Sequence, residues 1–276
     1  MEGLNPNLYT EDYYLADCSG FKEFKKSFGR KLGPRFKNLV KYINIRKGIK
    51  VLDIGCGRGE LSFWAARQGA EVIGIDYSKA GIRLANEALE KQSKRIQGNV
   101  RFHVQNAKDI EFTPESFDVV LLIDILEHLY PNEQDTVLRK VRRILKKGGM
   151  VLAHTEPNRI YLDYTYPYWC YPMNATLLNL WKHLTGKKLP ALPHPSTLRT
   201  ESHKIMHINE PTYMGLKRMF TNAGFNIRII CKVIMLRTVL SWKDRLYNLV
   251  VFLHPLSRYF PLNALFANNF IIVAQK

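Results

Sequence analysis

Cysteine is scarce in this 276-residue chain. Cys18, Cys56, Cys170 and Cys231 stand far apart, and none belongs to a CxxC pair. That excludes a paired-cysteine zinc site and a disulfide framework, and it predicts free thiols in a reducing cytoplasm. No run of 18 uninterrupted apolar residues occurs, so a membrane-spanning helix is not expected. The start, "MEGLNPNLYTEDYY", lacks the basic and apolar regions of a secretory signal. Internal repeats and low-complexity tracts are absent. Acid is scarce locally: Glu23 is the only one between residues 21 and 50, and "RKVRRILKK" at 139–147 has none. The net charge is +17. Such a surface attracts nucleic acid, anionic lipid or a phosphorylated substrate, unless it is simply solvated.

What is present suffices for a core. Hydrophobic residues make up 46% of the chain, enough for one elaborated domain or a core with a cap. Residues 1–47 read as a helical arm: Phe21, Phe24, Phe28 and Leu32, then Phe36, Leu39, Val40 and Ile43 recur at helical spacing, with a break at Gly33-Pro34. From residue 48 to 157 short apolar runs alternate with helical segments. "KVLDIG", "EVIGID", "VRFHVQN", "FDVVLLID" and "MVLAHTE" read as strands. "GELSFWAARQG", a segment capped by Ser78 and "NEQDTVLRKVRRILKKGG" read as helices. Strands alternating with helices imply an α/β fold with a parallel sheet covered on both faces. Residues 158–209 break this rhythm with aromatics and prolines and little periodicity. A helix, "EPTYMGLKRMFTNAG", and a strand, "FNIRIICKVI", follow. An insertion at 235–267 precedes a last strand in "NNFIIVAQK", so 210–276 returns to the core.

The stretch "VLDIGCGRGE" ends a strand in bare backbone. In open α/β sheets, ligands bind at the carboxyl ends of strands, where a glycine turn lets backbone approach them. Gly55, Gly57 and Gly59 give GxGxG, and Glu60 stands where a dinucleotide fingerprint has its third glycine. An acid in the first turn of the next helix opposes a pyrophosphate, which needs that helix terminus for its own charge. Asp76 ends the second strand, 21 residues after Gly55, where a carboxylate accepts both hydroxyls of a ribose. The pattern asks for a nucleoside without phosphates.

"VLDIGCGRGE" followed by "VIGIDYS" resembles the class I S-adenosylmethionine-dependent methyltransferases. The resemblance implies a Rossmann-like, seven-stranded, mostly parallel sheet, with S-adenosylmethionine as methyl donor and S-adenosylhomocysteine as product. It puts Asp53, Gly55, Cys56, Gly57 and Gly59 around the methionine part, and Asp76 and Tyr77 at the ribose. "QNAKDIEF" resembles the family's third-strand end, where an acid and an alanine hold adenine. Here Asn106 replaces the acid, beside Ala107, and an amide oxygen still accepts from an amino group. "FDVVLLIDILEHL" resembles the fourth strand and its loop, putting Ile123 and Asp124 beside the tail and sulfonium. "TEPNR" resembles a motif of the quinone-precursor O-methyltransferases.

Methyl transfer to a hydroxyl needs a base. Asp124, Glu127 and His128 are spaced i, i+3, i+4. His128 is the first candidate, with Glu127 and His154 beside it, and His203 and His207 behind them. No metal is required. Yet Asp124, Glu127 and His128 match an acid-x-x-Glu-His grouping in those O-methyltransferases that can hold a divalent ion, which leaves metal assistance open. The expected acceptor is a small molecule, lipid-like, aromatic or a glycan precursor, bound by the aromatics of 158–209. An RNA or protein acceptor, or a non-catalytic binding role, is the alternative. Nucleic acid is disfavoured, because "DILEH" stands where base-amino methylators of the family carry an Asn/Asp-Pro-Pro-aromatic tetrad.

The segment "WKDRLYNLVVFLH", opened by Ser241 and Asp244 as a capping pair, is apolar nearly all round. It is buried in the cap, in a homodimer, or at a membrane surface. Together with the basic arm it leaves open peripheral membrane contact. The rival is an arm that covers the cofactor.

Overall fold

In the computed structural model, which describes residues 4–18, 20–186, 191–233 and 241–276, seven strands form where the apolar runs lie. They are Lys50–Ile54 (β1), Glu71–Asp76 (β2), Val100–Val104 (β3), Phe117–Ile123 (β4), Leu145–Thr155 (β5), Asn226–Lys232 (β6) and Asn269–Gln275 (β7). Their order in one sheet is β3-β2-β1-β4-β5-β7-β6, and β7 runs antiparallel to both neighbours. The expected seven-stranded, mostly parallel sheet is present. The chain steps outward from β1 to β3 and then returns to β4. This reversal leaves a crevice at the carboxyl ends of β1 and β4, the usual ligand position in such sheets.

The period of two along each strand sorts side chains between two layers. Leu52, Ile54, Val120 and Leu122 face one layer, with the helices Pro131–Ile144 and Tyr213–Asn222. Val51, Val119, Leu121 and Ile123 face the other, with helix Glu60–Arg67 and the arm's Phe24, Leu32 and Leu39. The arm folds as the helices Phe21–Ser27 and Pro34–Leu39; the first ends before Phe28, earlier than expected, and the second opens at Pro34, where the break was read. Ser78 caps helix Lys79–Glu90, accepting from Gly81 N at 3.2 Å.

Two stretches differ from the sequence reading. "LKKGG" extends no helix: the helix ends at Ile144 and β5 begins at Leu145, paired with Phe117 across an irregularity in register. The stretch after β5 is helical rather than irregular. A π-helix, Tyr161–Cys170, runs into an α-helix, Tyr171–Thr185. A π-turn takes more residues than an α-turn, which smears the 3.6-residue pattern. It also seats Pro167 inside a helix, where a missing N–H breaks an α ladder.

This helical cap packs with helix Trp242–Phe252, opened by the expected capping pair of Ser241 and Asp244. Tyr161, Tyr166, Cys170, Tyr247, Val251 and Phe252 form its own small core. Residues 235–240 of the second insertion, and the end of the expected strand at Ile234, lie outside the described residues, as do 187–190.

Candidate functional site

The loop after β1 is anchored by backbone: Gly55 N and Cys56 N donate to Ile75 O at 2.8 and 3.0 Å. Gly57, at φ +49°, donates its N–H to Asp76 Oδ2 at 2.9 Å, and a Cβ there would lie 3.3 Å from the Tyr14 ring. Gly59, at φ +81°, has a different task. A Cβ there would stand 2.6 Å from the Phe102 ring, so this glycine lets the loop close on β3 from behind the cavity. The cavity at the crevice is lined by Asp53, Gly55, Cys56, Gly57, Asp76, Tyr77, Asn106, Ala107, Ile123, Asp124 and His128. Those expected site residues are brought together. Gly59, Glu127 and His154 stand outside the lining.

The two acids of this wall are buried without a cation. Asp76 accepts from Ser78 N at 2.8 Å as well as Gly57 N. Asp53 accepts from Ser62 Oγ at 2.6 Å. No ion pair of either acid is seen among the described residues, and burial pushes each up to about 6. Glu60 is different. It is paired with buried Arg58 at 2.9 Å, so its charge is cancelled. The case against a pyrophosphate therefore moves from Glu60 to Asp53 and Asp76. Asn106 caps the following turn, its Oδ1 accepting from Lys108 N at 3.0 Å. A second lone pair and the amide donors remain for a ligand.

At the end of β4, Asp124 takes a left-handed φ of +55°, a conformation that aspartate tolerates better than most residues. Its carboxylate is held by Arg35 and by His154 Nδ1 at 2.5 Å. Arg35 also reaches Glu156 at 3.3 Å. The Asp124 carboxyl is half-buried. The Arg35 guanidinium and His154 outweigh that burial and hold it well below the usual range. His154 is thus engaged behind the acid rather than facing the cavity.

Glu127 turns to β5, accepting from Thr155 Oγ1 at 2.9 Å, and burial and Asp124 push its carboxyl well up. His128 lines the cavity. Its Nδ1 lies 2.9 Å from Met206 O and 2.9 Å from Tyr9 Oη. Since a carbonyl only accepts, Nδ1 carries the hydrogen, and Nε2 is left with a lone pair. Burial lowers the pKa of this ring, so it stays neutral at pH 7. The group that gathers as candidate metal ligands is Glu127, His128 and His207, with ligand atoms all within 4.8 Å of one another. Asp124 is not in it. Buried His207 Nδ1 has no hydrogen-bond partner, and burial and His128 push this ring down to about 3. His203 stacks on His207 at 4.5 Å.

The second wall of the cavity matches the rival placement weighed for the arm, but its individual residues were not singled out from the sequence. It comes from the arm: Tyr9, Tyr13, Tyr14, Cys18 and Arg35. Arg58 Nη1 donates to Tyr14 O at 2.5 Å, and Ser78 Oγ donates to Tyr9 O at 2.8 Å. Three tyrosines at i, i+4, i+5 in an otherwise polar segment were the available signal. Arg35 gave none, being one cation in a basic run. None of Tyr161, Tyr164, Tyr166, Tyr168, Trp169 and Tyr171 lines this cavity.

Buried uncompensated acids and bare backbone, faced by the arm's tyrosines, favour a positively charged ligand with hydroxyls to donate. S-adenosylmethionine has that chemistry. Comparisons with known proteins agree. A family model described as a methyltransferase domain matches residues 45–212. The chain is 37% identical over 202 residues to a ubiquinone biosynthesis O-methyltransferase of Pelagibacter ubique, covering 69% of this chain and 74% of that one. It is 31% identical over 190 residues to a ubiquinone/menaquinone biosynthesis C-methyltransferase of Idiomarina loihiensis, covering 66% and 68%. Alignments to further curated relatives take in 40–49% of those chains. Among solved structures, a SAM-dependent methyltransferase of Methanosarcina mazei superposes with a TM-score of 0.53 at 25% identity, covering 89% of this chain and 98% of that one.

Proposed function

The chain belongs to the S-adenosylmethionine-dependent methyltransferases, and we propose that its acceptor is the hydroxyl oxygen of a small, lipid-like aromatic molecule of the quinone-precursor type. The observation that carries this is His128, a neutral imidazole in the cavity wall with Nδ1 committed to a carbonyl and Nε2 open. The P. ubique relative supports the acceptor class. The matched quinone-pathway enzymes lend nothing to an RNA or protein acceptor or to a purely binding role.

When bound, the cofactor supplies a methyl group on a positively charged sulfur, already activated for displacement. This chain's residues then have two tasks. Asp53, Asp76 and the Gly55–Gly57 backbone would hold and orient the donor, which is most of what an in-line transfer needs. His128 Nε2 would take the acceptor's hydroxyl proton as the oxygen attacks. Arg35 and His154 keep Asp124 ionised and offset its charge, so the negative charge that favours a cation in the cavity comes from Asp53 and Asp76.

One observation favours a second route to the same product. Glu127, His128 and His207 would hold a divalent ion that lowers the acceptor hydroxyl's pKa. Binding would require Glu127 to ionise. Among the described residues no helix is long and apolar enough to cross a membrane. We propose peripheral contact with an anionic membrane as the source of the acceptor.

The test is transfer of a labelled methyl group from S-adenosylmethionine to catechol-type precursors with a short prenyl tail, with and without chelator. Label on oxygen supports the reading. Label entering only carbon, RNA or protein overturns the acceptor assignment. Loss of activity with chelator, restored by magnesium, selects the metal-assisted route.

A further inference from the structure

The apolar side chains that stay uncovered are not scattered. Among the described residues, twelve of the seventeen exposed large hydrophobics lie within 161–185 and 242–266, segments of the two insertions. On helix Trp242–Phe252 they form a stripe. Trp242, Leu246 and Leu249, at i, i+4, i+7, are 70%, 51% and 41% exposed. Tyr247, Val251 and Phe252 face the opposite way, into the cap's own core. The inner face of this helix is therefore already used, and the outer stripe is additional.

Neighbouring elements extend the stripe. Lys243 Nζ lies 5.2 Å from the Trp181 ring centroid and 5.8 Å from that of Trp242. That joins the start of this helix to the end of Tyr171–Thr185, where Leu180 and Leu184 are also exposed. At the other end, Trp169 Nε1 donates to Val250 O at 3.2 Å, bringing exposed Trp169 and Tyr168 alongside. The charge on these two helices is net positive. Lys182, Lys243 and Arg245 are exposed. The single acid, Asp244, is bonded to Ser241 Oγ at 2.6 Å in the helix cap.

We propose that this outer cap face docks on the surface of an anionic bilayer. Trp242, Leu246, Leu249 and Trp169 enter the headgroup boundary, and Lys182, Lys243 and Arg245 lie over anionic lipid. Tryptophan and tyrosine favour that boundary, where an apolar ring body and a polar edge are both accommodated. Apolar area and electrostatic attraction add in binding of this kind. A second copy of the chain fits less well, because a two-fold contact through this face would set the same cations against each other. The basic arm is also a poorer docking face. Its Phe24, Leu32 and Leu39 are buried against the sheet and Arg35 turns into the cavity, so beside its charge it exposes only the separate Leu8 and Phe28 as large apolar side chains among the described residues, not a stripe. The inference rests on the peripheral contact proposed above and names the face that makes it.

Flotation with vesicles of phosphatidylglycerol and phosphatidylcholine, against phosphatidylcholine alone, tests both. Three proteins are compared with the wild type: Trp242→Ser with Leu246→Ser; Lys182→Gln, Lys243→Gln and Arg245→Gln together; and Lys25→Gln, Lys26→Gln and Lys31→Gln together. All these side chains are exposed and outside the cavity lining, and binding of S-adenosylhomocysteine reports that each variant is folded. The expected result is wild-type binding to the anionic vesicles that weakens with salt. The cap charge variant loses about a hundredfold in partitioning, at about fivefold per cation. The Trp242/Leu246 variant also loses binding, and the arm variant keeps most of it. Wild type that stays unbound at low salt overturns the membrane reading itself. Binding that survives the cap changes and fails in the arm variant keeps the membrane reading and overturns this face. A dimer in sedimentation that disappears in the Trp242/Leu246 variant shows that a second copy covers the stripe, and also overturns it.

Discussion

The strand-end wall of the cavity and the arm wall hold their polar groups in different ways. At the strand ends, Asp76 is fixed by N–H groups at Gly57 and Ser78, within 19 residues of sequence, and Asp53 by Ser62 nine residues on. No cation balances them among the described residues, and their carboxyls rest near 6. The arm wall works over distance. Arg35 neutralises Asp124 across 89 residues, and Tyr9 meets His128 across 119. One wall is preorganised by short loops and carries negative charge waiting for a ligand. The other depends on the arm being seated, and it cancels charge where β4 ends. The difference teaches that the donor site is a property of the sheet, whereas the surroundings of the base candidate are shared between sheet and arm.

Removing the base candidate should give the largest effect. His128→Ala is expected to lower turnover by roughly 10²–10⁴ while cofactor affinity stays nearly unchanged, because His128 lies apart from the Asp53–Asp76 wall. Steady-state rates alongside titration calorimetry with S-adenosylhomocysteine check this. A parallel loss of affinity would merge the two walls into one. Next in size is Asp76→Ala. Charged hydrogen bonds are worth about 1.5–3 kcal/mol each, so affinity should fall tenfold or more. An unchanged dissociation constant would remove Asp76 from the donor site.

Acidification should separate the walls without mutation. Asp53 and Asp76 have folded-state pKa values near 6, raised from 3.8 by burial. If the donor binds their ionised forms, affinity falls as pH drops through 6, by about tenfold per pH unit for each group. Their effect on the unliganded fold has the opposite sign. The native state holds more protons than the unfolded chain between 3.8 and 6, so these two acids stabilise the apo-protein as pH falls across that window. His128, lowered by burial, remains a competent base below the usual histidine range. Calorimetry and melting curves from pH 5 to 8 read both. Affinity that is flat across pH 6 would show that neither acid titrates in the site.

The strand-end wall was legible in the sequence for a physical reason. Its residues are held by their near neighbours, so motif spacing carries their geometry. Asp53, Gly55, Gly57, Asp76, Asn106 and Asp124 all follow from apolar runs that end in glycine or a polar residue. The arm wall was not legible, because its meaning depends on partners far along the chain. Arg35 reads like Lys31 or Lys37 until Asp124 is placed beside it. The i, i+3, i+4 spacing of Asp124, Glu127 and His128 promised one face of a helix. The backbone instead turns left-handed at Asp124 before a short 3-10 turn, so the three side chains point to Arg35, Thr155 and Met206. Tyr161–Thr185 hid for a local reason, since its π-turns and Pro167 erase the α period.

The smallest expected effect bears directly on how far the arm contributes. Tyr9 Oη and Met206 O both lie 2.9 Å from His128 Nδ1. Nδ1 has one hydrogen to give, and the carbonyl can do nothing but accept it. The Met206 bond alone is therefore sufficient to fix the tautomer that leaves Nε2 free. On that account Tyr9→Phe keeps the ring, its packing against Tyr13 and Tyr77, and the base. It removes one shared hydrogen bond of about 1 kcal/mol, a loss of roughly fivefold in turnover, with cofactor affinity unchanged and the acid limb of the pH–rate profile little moved. Suppose instead that Tyr9→Phe falls as far as His128→Ala, or that the acid limb shifts by a full pH unit. Then the arm, and not the Met206 carbonyl, holds the base in its working form, and seating of the arm becomes a condition for chemistry rather than a cover over it.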